Sequence, residues 1–145
     1  MKKTFIIAAL AFVTLCVGTQ LHQANAAETV AEAEKQAEIV FDTIRVNLGT
    51  FSEKDGEQKC SFAFTNVGDA PLIINQAFAS CGCTVPTYTD KPVPPGGTGI
   101  IEVTYNGKGR YPGHFKKVIT VNTNAKQRLV RLAIEGEMTA KSESK

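Results

Sequence analysis

From Ile39 to Met138 the chain is a series of short apolar-rich runs, each cut off by Gly, Pro, Asn or Asp, and this punctuation limits its fold more than any other feature. A period of two belongs to a strand, whose successive side chains face opposite sides. The cleanest case is KCSFAFTNV (59–67), with Cys60, Phe62 and Phe64 on one face and Lys59, Ser61 and Ala63 on the other. IIEVTYN (100–106) repeats the pattern through Ile101, Val103 and Tyr105, and RLVRLAIEGE (128–137) through Val130, Leu132 and Ile134. IVFDTIRVNLG (39–49), LIINQAF (72–78) and HFKKVITVNT (114–123) have strand composition. SEKDGEQ (52–58), GDAP (68–71), PVPPGG (92–97) and GKGRYPG (107–113) read as turns and loops. No segment after residue 38 has a helical period, so the crossovers that a parallel sheet needs are missing. The economical fold is a single antiparallel β-sandwich of immunoglobulin type with about seven strands, over residues 39–138. The chain has no Trp, so the Cys-Trp-Cys hallmark of antibody domains is absent.

The residues before this domain have a different character. Lys2 and Lys3 precede an apolar run from Thr4 to Val17, and Ala24-Asn25-Ala26 has the A-x-A form of a cleavage site. Residues 1–26 are therefore expected to be an export signal cleaved after Ala26, which places the protein in the periplasm or outside the cell. The run is too short for a membrane span, which takes about 20 residues, so no span is expected after cleavage. A lipoprotein signal through Cys16 would want a small residue where Leu15 stands. Residues 27–38, AETVAEAEKQAE, are expected to be a flexible spacer, because short isolated helices are marginal and Glu28 repels Glu32. Residues 139–145 form a polar tail.

Without the signal the chain is electrically balanced, with 14 basic and 14 acidic residues over 27–145. It has no global basic excess for nucleic acid, and no nucleic-acid partner is expected. The distribution is uneven: residues 105–131 hold seven bases and no acid. They are spread over several elements, as solvated strand faces and turns would be.

Cleavage would leave three cysteines, Cys60, Cys81 and Cys83, an odd number that requires a free thiol or an intermolecular bond. Cys81 and Cys83 flank one glycine in ASCGCTVP (79–86). In an extended strand their Cβ atoms would be too far apart for a disulfide, so a Cys81–Cys83 bond needs a bend at Gly82, and so small a ring should reduce easily. The alternatives are two free thiols, or a bond from one of them to Cys60. No basic residue lies between Ala77 and Asp90 to lower a thiol pKa locally. Structural thiols, a redox pair and a two-thiolate Cu(I) site all remain open on these residues. A Cys₃His zinc site would require Cys60 and His114 to converge on the same pair, and no metal site or cofactor is assigned.

Catalytic constellations are otherwise missing: the chain has no G-x-S-x-G, H-E-x-x-H or glycine-rich phosphate loop. His114 has no nucleophile placed beside it by any pattern. Asn66 and Gly68 read as a turn made by tolerance of positive φ. The expectation is a non-enzymatic module that binds a protein or a cell-envelope glycan, with Lys108, Arg110 and Tyr111 of loop 107–113 and the Cys81–Cys83 stretch as contacts.

The blocks FAFTNVGDAPLII (62–74), SCGCTVP (80–86), PVPPGGTGIIEVTYN (92–106), GHFKKVITVNTN (113–124) and LAIEGEM (132–138) occur in the order found in one family. The chain resembles the bacterial exported domain of unknown function 1573, itself similar to the immunoglobulin-like ASH/MSP/HYDIN group. The resemblance implies a sandwich fold and export, and it supplies no catalytic residue.

Overall fold

The computed structural model describes residues 34–140. The export signal, most of the spacer and the last five residues of the tail lie outside the described residues. Eight strands form two four-stranded sheets. They are β1 (Ile39–Phe41), β2 (Arg45–Ser52), β3 (Gln58–Asn66), β4 (Ile74–Ala79), β5 (Thr84–Tyr88), β6 (Thr98–Tyr105), β7 (Gly113–Thr123) and β8 (Leu129–Thr139). The order is β1-β3-β6-β5 in the first sheet and β2-β8-β7-β4 in the second. This is the immunoglobulin-like sandwich that the alternation predicts.

The inward faces are the predicted ones. Phe62, Phe64, Ile101, Val103, Leu132 and Ile134 are all buried, joined by Leu72, Ile119 and Val121. Most of their neighbours in sequence are exposed or partly so, Ala133 between Leu132 and Ile134 being the buried exception, and this alternation holds each strand in register. β3 pairs with β6 over eight residues, from Gln58 opposite Tyr105 to Thr65 opposite Thr98.

Four details differ from the sequence reading. The run 39–49 is two strands in different sheets, because the chain crosses over at Asp42–Ile44. β2 also continues past Gly49 to Ser52 through an irregularity in its pairing between Asn47 and Thr50. Gly49 takes φ 74° there, a conformation that favours glycine. β2 then pairs with β8 in parallel, with Arg45 opposite Ala133. No helical crossover is needed, because the rest of the sandwich forms the connection. Finally, ASCGCTVP contains the start of a strand, β5, which carries Pro86. β5 is an edge strand, where a missing ladder donor is tolerated.

Residues 36–38, expected within the spacer, are fixed to the domain. Val67 N donates to Glu38 O, Asp69 N to Gln36 O and Lys126 N to Ala37 O. Gly68 makes room for this segment. It has no positive φ, and a Cβ on it would overlap the backbone of Gln36 and Glu38. Asn66, completely buried, donates its side-chain amide to Ala70 O at 2.8 Å and Val93 O at 3.0 Å. Its Oδ1 accepts from Gly68 N at 3.1 Å and Glu38 N at 3.3 Å. The pair thus joins distant segments, which is more than a local turn.

Candidate functional site

Three connections cross between the sheets at one end of the sandwich: residues 53–57, 80–83 and 106–112. Both stretches singled out from the sequence lie among them. β4 and β5 are edge strands of opposite sheets, and Ser80–Cys83 carries the chain from one to the other. The turn closes through Thr84 N, which donates to Cys81 O at 3.1 Å, and Cys83 N, which donates to Cys81 Sγ at 3.3 Å. Cys81 and Cys83 are joined as a disulfide, with Cα atoms 5.3 Å apart. The required bend is present, but it does not depend on a left-handed glycine. Gly82 has no positive φ, and a Cβ there would meet open space.

The two sulfurs differ in access. Cys83 is buried beside Thr84, with Sγ 3.7 Å from Thr84 Oγ1, whereas Cys81 is partly exposed. An attacking group from solvent therefore meets Cys81. Cys60 is free and half-buried on the inner face of β3. It stands opposite Val103, which is in turn opposite Pro86. Cys60 is bonded to neither cysteine of the turn.

Burial pushes the Cys60 thiol up, so the folded state holds that proton more tightly than the unfolded chain does. Stability is therefore undiminished below the unfolded thiol pKa, about 8.5, and falls as pH rises above it. Iodoacetamide labelling of the native protein should show Cys60 half-modified at a higher pH than an unfolded control. Equal titration curves would contradict the burial argument.

Loop 107–113 joins the Cys turn through Asn106, whose N–H donates to Cys83 O at 2.8 Å. Asn106 Oδ1 accepts from Lys108 N at 2.9 Å, and Asn106 Nδ2 donates to Glu57 Oε1 at 3.4 Å. Gly109 N donates to Glu53 Oε1 at 2.9 Å, and Arg110 N to Gly107 O at 3.0 Å. Glu53 opens a short 3-10 turn, Glu53–Asp55, capped by Ser52 and Asp55. The loop backbone is thus tied down while Lys108, Arg110 and Tyr111 point outward. Tyr111 is 97% exposed. Beneath the loop, Tyr105 stacks on Phe115 with ring centroids 4.3 Å apart, and Phe51 meets both edge-on.

Sequence reasoning missed the linking roles of Asn106 and Glu53. The Asn-Gly at 106–107 was a turn signal, but nothing in the spacing pairs residue 53 with residue 109. His114 is exposed on β7 opposite Glu137. Among the described residues no three His, Cys, Asp or Glu side chains are grouped to hold a metal ion. No helix among them is long and apolar enough to cross a membrane.

A family model described as protein of unknown function (DUF1573) matches residues 39–138, the span of the sandwich. The chain belongs to the DUF1573 family. No curated protein matches it in sequence. Among solved structures, this DUF1573 domain is similar to a protein of unknown function from Porphyromonas gingivalis W83. The TM-score is 0.61 at 16% identity, covering 71% of this chain and 47% of that one. The DUF1573 chain thus spans about half the length of that protein. It is also similar to the ASH/PapD-like domain 7 of human CEP192, with TM-score 0.54, 8% identity and coverage of 74% and 89%. A third likeness is to the periplasmic chaperone SfaE, with TM-score 0.51, 13% identity and coverage of 72% and 59%. At these identities the likenesses bear on the fold alone.

Proposed function

We propose that the domain is an exported, non-enzymatic binding module whose contact surface is loop 107–113, and that its partner is a protein or a cell-envelope glycan. One observation carries this reading. A wholly exposed tyrosine sits among two cations on a loop whose backbone is held from three sides. A Tyr presented this way offers a large contact area and loses little conformational freedom on binding. Lys108 and Arg110 add donors for acidic side chains, sugar hydroxyls or carboxylates.

A photo-crosslinking amino acid at Tyr111, in cells that produce the protein, tests this. Adducts should form from position 111 and be absent from a control at exposed Glu102. Changing Lys108 and Arg110 to Ser should reduce them about tenfold, by loss of the charged contacts. Equal labelling from the two positions would sink the reading.

The unequal access of the two sulfurs favours a second reading, thiol–disulfide exchange. A thiolate of an external dithiol would attack Cys81 Sγ, and Cys83 would leave and take up a proton. The second thiol of the reductant would then displace Cys81, so two electrons pass to the pair and the reductant leaves as a disulfide. The double variant Cys81→Ser/Cys83→Ser separates the readings. Under the first, the Tyr111 adducts survive. Under the second, they survive only if binding is independent of exchange, and dithiol oxidation by the protein is lost.

A further inference from the structure

At the other end of the sandwich the second sheet has an unfilled edge. β2 covers β8 only from Ala133 onward, because upstream of Arg45 the chain has crossed to the first sheet. β8 itself begins four residues earlier, at Leu129. Hydrogen-bonding direction alternates along an antiparallel partner. Thr123 N donates to Arg128 O, so even-numbered residues of this stretch face β7. Ala133 N turns the other way, to Ile44 O at 2.9 Å. Leu129 and Arg131 share its parity, so their N–H and C=O groups point out of the sheet toward the space that β2 vacates.

That space is a groove of about 640 Å³ between the first strand of one sheet and the last strand of the other, with Val40, Phe41, Ile44, Leu129 and Arg131 among its walls. Three apolar side chains there are unusually open: Val40 is 49% exposed, Ile44 56% and Leu129 57%. Charge around it is net positive. Arg131 lines it, and Arg45, Lys126 and Arg128 are exposed in the adjoining stretches, against Asp42 and Glu38. A bare sheet edge with flanking apolar sockets is suited to strand addition.

We propose that this edge receives an extended acidic strand of a protein partner, which pairs with Leu129 and Arg131 and sets alternate apolar side chains into the groove. Alternation follows from the pleat: Leu129 and Arg131 lie together on the outer face of β8, so the outward side chains of the added strand present carboxylates to Arg131, and the inward ones meet Phe41 and Val130 in the groove. The inference rests on the reading of the domain as a binding module, but it uses a different surface from loop 107–113.

The test uses the mature chain and two synthetic peptides, an alternating Glu/Val octamer and a Lys/Val octamer. Amide exchange and chemical shifts are followed by NMR. The amides of Leu129 and Arg131 should exchange fast in the free protein and slow at least tenfold with the Glu/Val peptide. The Lys/Val peptide should bind at least tenfold more weakly. Leu129→Pro removes an outward N–H and leaves the ladder to β7 intact, so it should abolish the protection. Arg131→Glu, a surface change, should weaken the acidic peptide about tenfold while thermal unfolding stays unchanged.

Fast exchange that persists at saturating peptide would overturn the proposal. So would protection already present without peptide, which would mean that a second copy or the chain's own upstream segment fills the edge. Sedimentation velocity tells those two apart. If the strand fails to bind while Tyr111 adducts persist, this edge is wrong and the binding-module reading stands. If the strand binds and Tyr111 gives no adducts, the loop is wrong instead.

Discussion

Replacing Asn66 by alanine lowers the stability of the domain by about 3–4 kcal/mol, as read by urea denaturation. The side chain is completely buried and makes four hydrogen bonds, to Ala70, Val93, Gly68 and Glu38. Alanine leaves two carbonyls and two N–H groups without that partner, in a place where water enters poorly. Each such group costs on the order of 1 kcal/mol or more. Its main chain adds bonds to Gly97 O and from Gly96 N, so the site ties residues 38, 68–70 and 93–97 to the end of β3. The midpoint of thermal unfolding should fall by roughly 15 °C for a domain of this size. A loss below about 1 kcal/mol would show that water replaces the amide, and the hub would then be dispensable.

Tyr105→Ala should cost about 3–5 kcal/mol, the usual range for removing a buried aromatic ring. The ring is 2% exposed, lies face to face with Phe115 and meets Phe51 at 6.1 Å. Both partners would lose contact area as well as a favourable ring geometry. Gly107 packs over the same cluster, since a Cβ on it would touch Met138, Tyr105 and Phe51. The substitution should therefore also speed amide exchange at Lys108, Gly109 and Arg110. Tyr105→Phe keeps the stack and should cost under about 1 kcal/mol. If the two variants are equally unstable, the hydroxyl matters and the stacking account fails.

The strands that were legible from sequence bury one face and wet the other. Phe62/Phe64, Ile101/Val103 and Val130/Leu132 announce their inward sides because each intervening residue is left to solvent, whereas Ala133, between Leu132 and Ile134, is buried as well. The split of residues 39–49 was also written there, as a change of phase. The inward apolar residues are odd-numbered at Ile39 and Phe41 and even-numbered at Val46 and Leu48. β5 escaped notice because its inward positions are Thr84, Pro86 and Tyr88, which give no hydrophobic period. Asn66 escaped for a different reason. Turn chemistry looks only a few residues away, whereas Glu38 and Val93 are 28 and 27 residues distant. In the candidate site, the Cys-Gly-Cys spacing said that a bond between Cys81 and Cys83 needs a bend and left the pairing open. The unequal depth of the two sulfurs, and the tether from Asn106 to Cys83, depend on packing between sheets that no local pattern encodes.

The parallel pairing of β2 with β8 has a consequence for how the chain comes to be folded. Its partners are far apart in sequence, as in the bond from Thr139 Oγ1 to Phe51 O across 88 residues. Contacts of such long separation form late and slow the folding reaction, because the intervening loop must be ordered first. A chain emerging N-terminus first, from a ribosome or a translocation channel, would hold β2 without its neighbour until nearly all of the domain is out. Until then the partly built sandwich has a raw flank along Arg45–Ser52. Truncation before Leu129 would leave the first sheet complete in strands and the second unable to join its outer members, since β8 lies between β2 and β7.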